Sequence, residues 1–120
     1  MSDQLYREFI IDNWKNPQNY GVLEKADIDV TEDNPLCGDH IRIMVKVKKG
    51  KIEKVSFVSE GCAISTASAS LMTQMAHGMK ITEFKKMKPE EFMNKFELCF
   101  SPGRIKCTLL GFSTLQKALK

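Results

Sequence analysis

The residues able to do chemistry are few and can be taken one at a time. Cysteines stand at positions 37, 62, 99 and 107, and a thiolate is both a metal ligand and the nucleophile of sulfur exchange. Cys37 lies in Asn34-Pro35-Leu36-Cys37-Gly38-Asp39. That is a turn composition in which Gly38 lets the backbone approach closely and Asp39 supplies a carboxylate. Cys62 follows Gly61 and opens an Ala/Ser-rich segment that reads as a helix. Free N–H groups and partial positive charge at a helix N-terminus favour the thiolate. Cys107, in the first turn or so of a final helix, is flanked by Arg104 and Lys106, and cations favour the thiolate too. Three thiolates and one carboxylate make a tetrahedral donor set suited to zinc. The same thiolates suit an iron–sulfur cluster. There is no Cys-x-x-Cys pair, and a free cysteine is often simply a small buried apolar side chain, so packing in a core stands beside the metal reading.

The elements around these residues say which of them can meet. Residues 2–15 read as a helix capped by Ser2, with Leu5, Tyr6, Phe9, Ile10 and Trp14 as its apolar stripe. Residues 26–31 and 41–48 alternate as half-buried strands. In the second, Ile41, Ile43, Val45 and Val47 take one face, and Arg42, Met44, Lys46 and Lys48 the other. Residues 52–59 make a further strand, joined to the previous one by a hairpin turn at Lys49-Gly50. The midpoint of that hairpin falls near 49.5, so Cys37 and Cys62 lie 12.5 positions to either side and emerge at the same end of the sheet. Pairing apolar with apolar favours a register offset of one. A small-residue helix spans Ala63–Met75 and ends at Gly78. Thr82 is the expected cap of a short helix reaching Met87, and Pro89 starts another. Ile105, Leu109, Phe112, Leu115 and Leu119 repeat at helical spacing. The class is α+β, an antiparallel meander covered by helices. Periodicity alone does not dock the last helix against the meander.

Composition narrows the function. The chain has 120 residues, 42% of them hydrophobic and 28% charged, with a net charge of +3. That is one domain, 1–120, large enough to fold without a disulfide or metal, and too mildly basic to announce nucleic-acid binding. No apolar run reaches the roughly 20 residues of a membrane helix, and the polar start lacks a signal-peptide pattern. A cytoplasmic address is expected, with the cysteines as thiols.

Taken in order, Asn34-Pro35-Leu36-Cys37-Gly38-Asp39, Gly61-Cys62-Ala63-Ile64-Ser65 and Arg104-Ile105-Lys106-Cys107 resemble the three signature segments of the U-type iron–sulfur scaffold family (IscU, SufU and the N-terminal domain of NifU). Leu5-Tyr6, Asn16-Pro17 and Asn19-Tyr20-Gly21 resemble its opening. The resemblance implies a three-stranded antiparallel sheet covered by helices. It also implies a scaffold, not an enzyme: one that accepts sulfur from a cysteine desulfurase, assembles a labile [2Fe-2S] cluster, and passes it to apo iron–sulfur proteins. Carried over by position, the ligands are Cys37, Cys62 and Cys107, with Asp39 the carboxylate that keeps the cluster releasable. Zn2+ can occupy the same site.

Two departures sharpen this. Where the IscU branch has His before the third cysteine, this chain has Lys106, as in the SufU branch, whose members imply an alternative activity as zinc-dependent sulfur acceptors. Yet Cys62 and Cys107 are only 45 positions apart, without the SufU insertion. The stretch Phe100-Ser101-Pro102-Gly103-Arg104 replaces the Leu-Pro-Pro-Val-Lys motif, which puts recognition by an Hsp70-type chaperone in doubt. Lys106 could hold Asp39 in the empty site or stabilise a persulfide. Cys99 matches no motif and reads as packed. His40 reads as a solvated strand-start residue, with metal binding the alternative. His77 reads as a helix C-terminal charge, Met72, Met75 and Met79 as core or partner surface, and Lys85, Lys86 and Lys88 as a solvated face.

Overall fold

The computed structural model describes the backbone over residues 3–34, 38–96 and 102–119, and side chains over 8–33, 38–96 and 105–119. Its elements are α1 (Asp3–Lys15), β1 (Ile28–Asn34), β2 (Asp39–Lys48), β3 (Lys51–Glu60), α2 (Ala63–Ala76), α3 (Ile81–Lys86), α4 (Pro89–Lys95) and α5 (Pro102–Ala118). The strands form one antiparallel sheet in the order β1-β2-β3, as expected. Among the described residues, no helix is long and apolar enough to cross a membrane.

The hairpin turn needs two residues with positive φ. Lys49 (52°) and Gly50 (75°) supply them. Lys48 pairs with Lys51 and Val47 with Ile52, then the register slips by one, so that Lys46 faces Lys54 and Ile43 faces Phe57. Glu53 is the extra residue of this bulge. Turn geometry and apolar pairing ask for registers one apart, and the bulge satisfies both. It also brings His40 opposite Glu60, so the start of β2 and the end of β3 lie side by side.

Ile41, Ile43, Val45, Ile52, Val55 and Phe57 fill the inner face of the sheet, against Ala69, Met72 and Ala76 of α2, Phe112 and Leu115 of α5, and Leu119 just beyond it. Phe84 and Phe92 close the end of this core on Phe112, with ring centroids 5.2 and 5.4 Å away. Each such ring contributes about 1.5–3 kcal/mol by burial. Met72 and Met75 are core residues and Met79 packs against the core. Gly111 sets the approach of α5. A Cβ there would lie 3.2 Å from the Ala69 Cβ and 3.3 Å from Ile41 Cδ1.

Four sequence expectations are corrected. The first strand runs over 28–34, not 26–31, because pairing with β2 continues to Asn34↔Asp39, past the point where alternation is visible. Met44 is wholly buried, not on a polar face. The segment after α1 covers it, and the Leu23 N–H donates to its Sδ at 3.4 Å. Trp14 is 45% exposed, not part of a buried stripe. The face of α1 that meets α2 includes buried Asn13, whose Oδ1 accepts from Ser70 Oγ at 2.9 Å and Gln74 Nε2 at 3.1 Å. Thr82 does not cap the short helix. Lys80 stands at the N-cap, since the Ile81 N–H donates to the Gly50 carbonyl at 2.9 Å and starts the helix against the hairpin turn. Ser2, the expected cap of α1, lies outside the described residues.

Candidate metal centre

Three elements deliver one donor each to the open end of the hairpin. Asp39 is the first residue of β2. It follows Gly38, whose φ of 68° turns the chain into the strand. Cys62 leaves the end of β3 and is the N-cap of α2, its Sγ accepting the Ser65 N–H at 3.4 Å. Cys107 comes from α5, one turn before Gly111, whose bare Cα lets that helix sit close on α2 and β2. A carboxylate oxygen of Asp39 and the sulfurs of Cys62 and Cys107 all lie within 4.8 Å of one another. Around a tetrahedral zinc, donors at about 2.0–2.3 Å from the ion are roughly 3.3–3.8 Å apart, so a small closing movement makes this set fit a metal. The distance from Cys62 Sγ to Asp39 Oδ2 is already 3.7 Å.

Asp39 is 1% exposed and Cys107 4%, while Cys62 is half-buried and is the open thiol of the described pair. A buried carboxylate needs partners. The Cys62 N–H donates to Asp39 Oδ1 at 2.8 Å and the Ser65 hydroxyl to Oδ2 at 2.6 Å. Gly61 makes room for this. A Cβ at residue 61 would stand 2.1 Å from Asp39 Oδ1 and 2.7 Å from its Cγ.

The other expected residues sort as follows. Lys106 is exposed and lines a groove of about 280 Å³ between β1 and α5 with Asp33, Leu109 and Lys117. Across that groove, Lys117 pairs with Glu32 at 3.5 Å. His40 is exposed and bonds through Nδ1 to Asp33, its cross-strand neighbour. That carboxylate, by hydrogen bond and charge, raises the imidazole pKa above its usual 6.5. His40 therefore sits beside the cluster, on the solvated side. His77 is the exposed C-cap of α2, and Lys85, Lys86 and Lys88 are exposed. Cys37 and Cys99 lie outside the described residues. Sequence reasoning gave no role to Ser65, Gly61 or Gly111. Ser65 carried a signal, since it stands three residues after a helix-opening Cys62, where an N-cap side chain meets the backbone.

The structure is a small α+β domain that brings two thiols and a carboxylate, a donor set able to hold a metal ion, together at one end of a hairpin. Its family follows from comparison with known proteins. The family model described as NifU-like N terminal domain matches residues 5–120. The zinc-dependent sulfurtransferase SufU of Bacillus subtilis is 37% identical over an alignment covering 98% of this chain and 90% of that one. The iron–sulfur cluster assembly scaffold protein IscU 1 of Archaeoglobus fulgidus is 41% identical over 96% of this chain and 74% of its own. Among solved structures, a candidate SUF-system iron–sulfur scaffold from Fervidobacterium islandicum superposes with a TM-score of 0.82 at 30% identity over the whole of both chains. The NifU-like N-terminal protein of Brucella abortus shares the fold at a TM-score of 0.80 and 22% identity, over 98% of this chain and 93% of that one. The chain belongs to the NifU-like N-terminal domain family, the U-type iron–sulfur cluster assembly proteins.

Proposed function

We propose that this chain receives sulfur from a cysteine desulfurase, assembles a labile [2Fe-2S] cluster on Cys37, Cys62 and Cys107 with Asp39 as the weak fourth ligand, and delivers it to apo-proteins. The observation that carries the reading is the approach of Asp39, Cys62 and Cys107 to within 4.8 Å, from three separate elements. Cys37 joins this set by its matched motif and its place two residues before Asp39.

In this reading a thiolate of the site attacks the outer sulfur of the desulfurase persulfide. A new S–S bond forms on this chain, the old one breaks, and the desulfurase cysteine leaves as thiolate. Iron(II) is supplied to the site, and each sulfane sulfur takes two electrons to become sulfide, one from an iron(II) that becomes iron(III) and one from an external one-electron reductant or dithiol. Three thiolates hold the cargo firmly, and a carboxylate is the harder, more exchangeable donor toward iron bound by sulfur. A site closed by four thiolates would favour retention over release.

A second reading, a zinc-dependent sulfur acceptor, is favoured by the sulfurtransferase relative and by Lys106 at the position before the third cysteine. There the same donors hold zinc and one thiolate carries the sulfur onward. The test is anaerobic incubation of the metal-free protein with a cysteine desulfurase, cysteine, iron(II) and reductant. Visible absorption from a cluster that moves to an apo-ferredoxin supports the scaffold. A persulfide on one cysteine, with added zinc retained and no cluster, supports the acceptor. Neither product refutes both. Lys106→Ala with unchanged metal affinity and sulfur uptake removes Lys106 from either mechanism.

A further inference from the structure

We infer that Ser65 is the positioning residue of the metal centre: its hydroxyl fixes the Asp39 carboxylate in the donor set and so sets how tightly a bound ion is held. The inference rests on the reading above, in which Asp39 is a ligand. Ser65 is 3% exposed, and it reaches every described member of the site. Its Oγ lies 2.6 Å from Asp39 Oδ2, its N–H donates to Cys62 Sγ at 3.4 Å, and its Oγ is 3.2 Å from the Cys107 carbonyl oxygen.

A serine hydroxyl has one proton to donate. Between a charged oxygen at 2.6 Å and a neutral carbonyl at 3.2 Å, the carboxylate takes it, because charge-assisted bonds are shorter and stronger. A carboxylate has about four lone-pair sites. The Cys62 N–H uses one on Oδ1 and the Ser65 hydroxyl one on Oδ2, where Cys62 Sγ also lies at 3.7 Å, so each carboxylate oxygen is fixed from the start of α2. A second acceptor, the Cys107 carbonyl oxygen, lies within reach of the same hydroxyl at 3.2 Å. Ser65 is thereby a donor with two resting places. It holds the carboxylate on one side and the Cys107 backbone on the other. Gly61 completes the cradle on the opposite side, where a Cβ would collide with Asp39 Oδ1.

The test uses Zn2+ and Co2+ with the full chain and its Ser65→Ala, Ser65→Thr, Asp39→Ala and Asp39→Ala/Ser65→Ala variants. Zinc affinity and release are read by competition with a chromophoric chelator, ligand geometry by the cobalt absorption bands, and folding by circular dichroism. Alanine is the best helix former and removes one oxygen, so the variant retains its fold. Ser65→Ala is expected to weaken zinc binding by roughly 10- to 100-fold, as loss of an outer hydrogen bond to a ligand commonly does, to speed release, and to shift the cobalt bands. Ser65→Thr keeps the hydroxyl and most of the affinity. In the Asp39→Ala background the serine change adds little, because its partner is gone. The inference is overturned if Ser65→Ala binds both ions as the parent does, if Ser65→Thr is as weak as Ser65→Ala, or if the loss is equal in both backgrounds. A lower melting temperature with unchanged zinc affinity and cobalt spectrum marks a structural residue and overturns it too. An Asp39→Ala variant that binds zinc normally removes the underlying reading as well, which separates the two failures.

Discussion

Gly61→Ala isolates the geometry on which the site depends. The glycine has no positive φ, so the backbone accepts alanine and the whole effect is steric. The new Cβ would meet Asp39 Oδ1 at 2.1 Å, Cγ at 2.7 Å and Cβ at 3.0 Å. Reaching an ordinary contact requires the carboxylate to retreat by more than 1 Å, and Asp39, 1% exposed, cannot do that in place. It must give up the 2.8 Å bond from the Cys62 N–H, the 2.6 Å bond from Ser65, or both. Hydrogen bonds to a charged group contribute about 1.5–3 kcal/mol each, part of which returns if the carboxylate reaches water. The expected destabilisation of the metal-free chain is therefore about 2–4 kcal/mol, measured by urea unfolding. In an Asp39→Ala background there is nothing to collide with, and the same substitution is expected to cost less than about 1 kcal/mol, giving a large coupling in the double-mutant cycle. Equal costs in the two backgrounds would mean that Gly61 does not make room for Asp39.

Gly111→Val would push α5 off Ala69 and Ile41, which already stand 3.2–3.3 Å from an added Cβ. The expected outcome is about 1–3 kcal/mol of destabilisation from overpacking, read by urea unfolding, together with weaker zinc binding because Cys107 is displaced. Lys54→Glu turns a directly opposed like-charge pair with Lys46 into an opposite-charge pair. A gain of up to about 1 kcal/mol in low-salt unfolding is expected, fading as salt rises. His40 in the metal-free protein should titrate above 6.5 by NMR, and Asp33→Asn should bring it down. With the folded pKa raised, its contribution to stability is fully present below the unfolded pKa and is lost as pH rises through the folded value. An His40 midpoint at or below 6.5 contradicts the pairing.

Much of this was legible because local chemistry and long-range order agree. Lys49-Gly50 marks the turn, and counting outward from it brings the start of β2 and the end of β3 together whichever of two neighbouring registers holds; the bulge at Glu53 uses both. Cys62 stands where its glycine and small-residue helix say it should. The arrival of Cys107 was not readable from periodicity, because it depends on Gly111 lying against Ala69, a contact between residues 42 positions apart. Met44 and Trp14 were misplaced for a related reason. Alternation and helical spacing report one element at a time, whereas covering segments and the polar seam of Asn13 with Ser70 decide which face is buried. Ser65 escaped because a buried serine in an Ala/Ser helix looks like filler until its acceptor is located across the chain.

In the proposed function, donors from separate elements close on one ion. Zinc K-edge X-ray absorption on protein loaded with one equivalent of Zn2+ tests it directly. The expected shell is a four-coordinate ion with three sulfur scatterers at about 2.3 Å and one oxygen at about 2.0 Å, with loss of one sulfur in each of Cys62→Ser and Cys107→Ser. A nitrogen- and oxygen-only shell, or a shell untouched by either substitution, would contradict it.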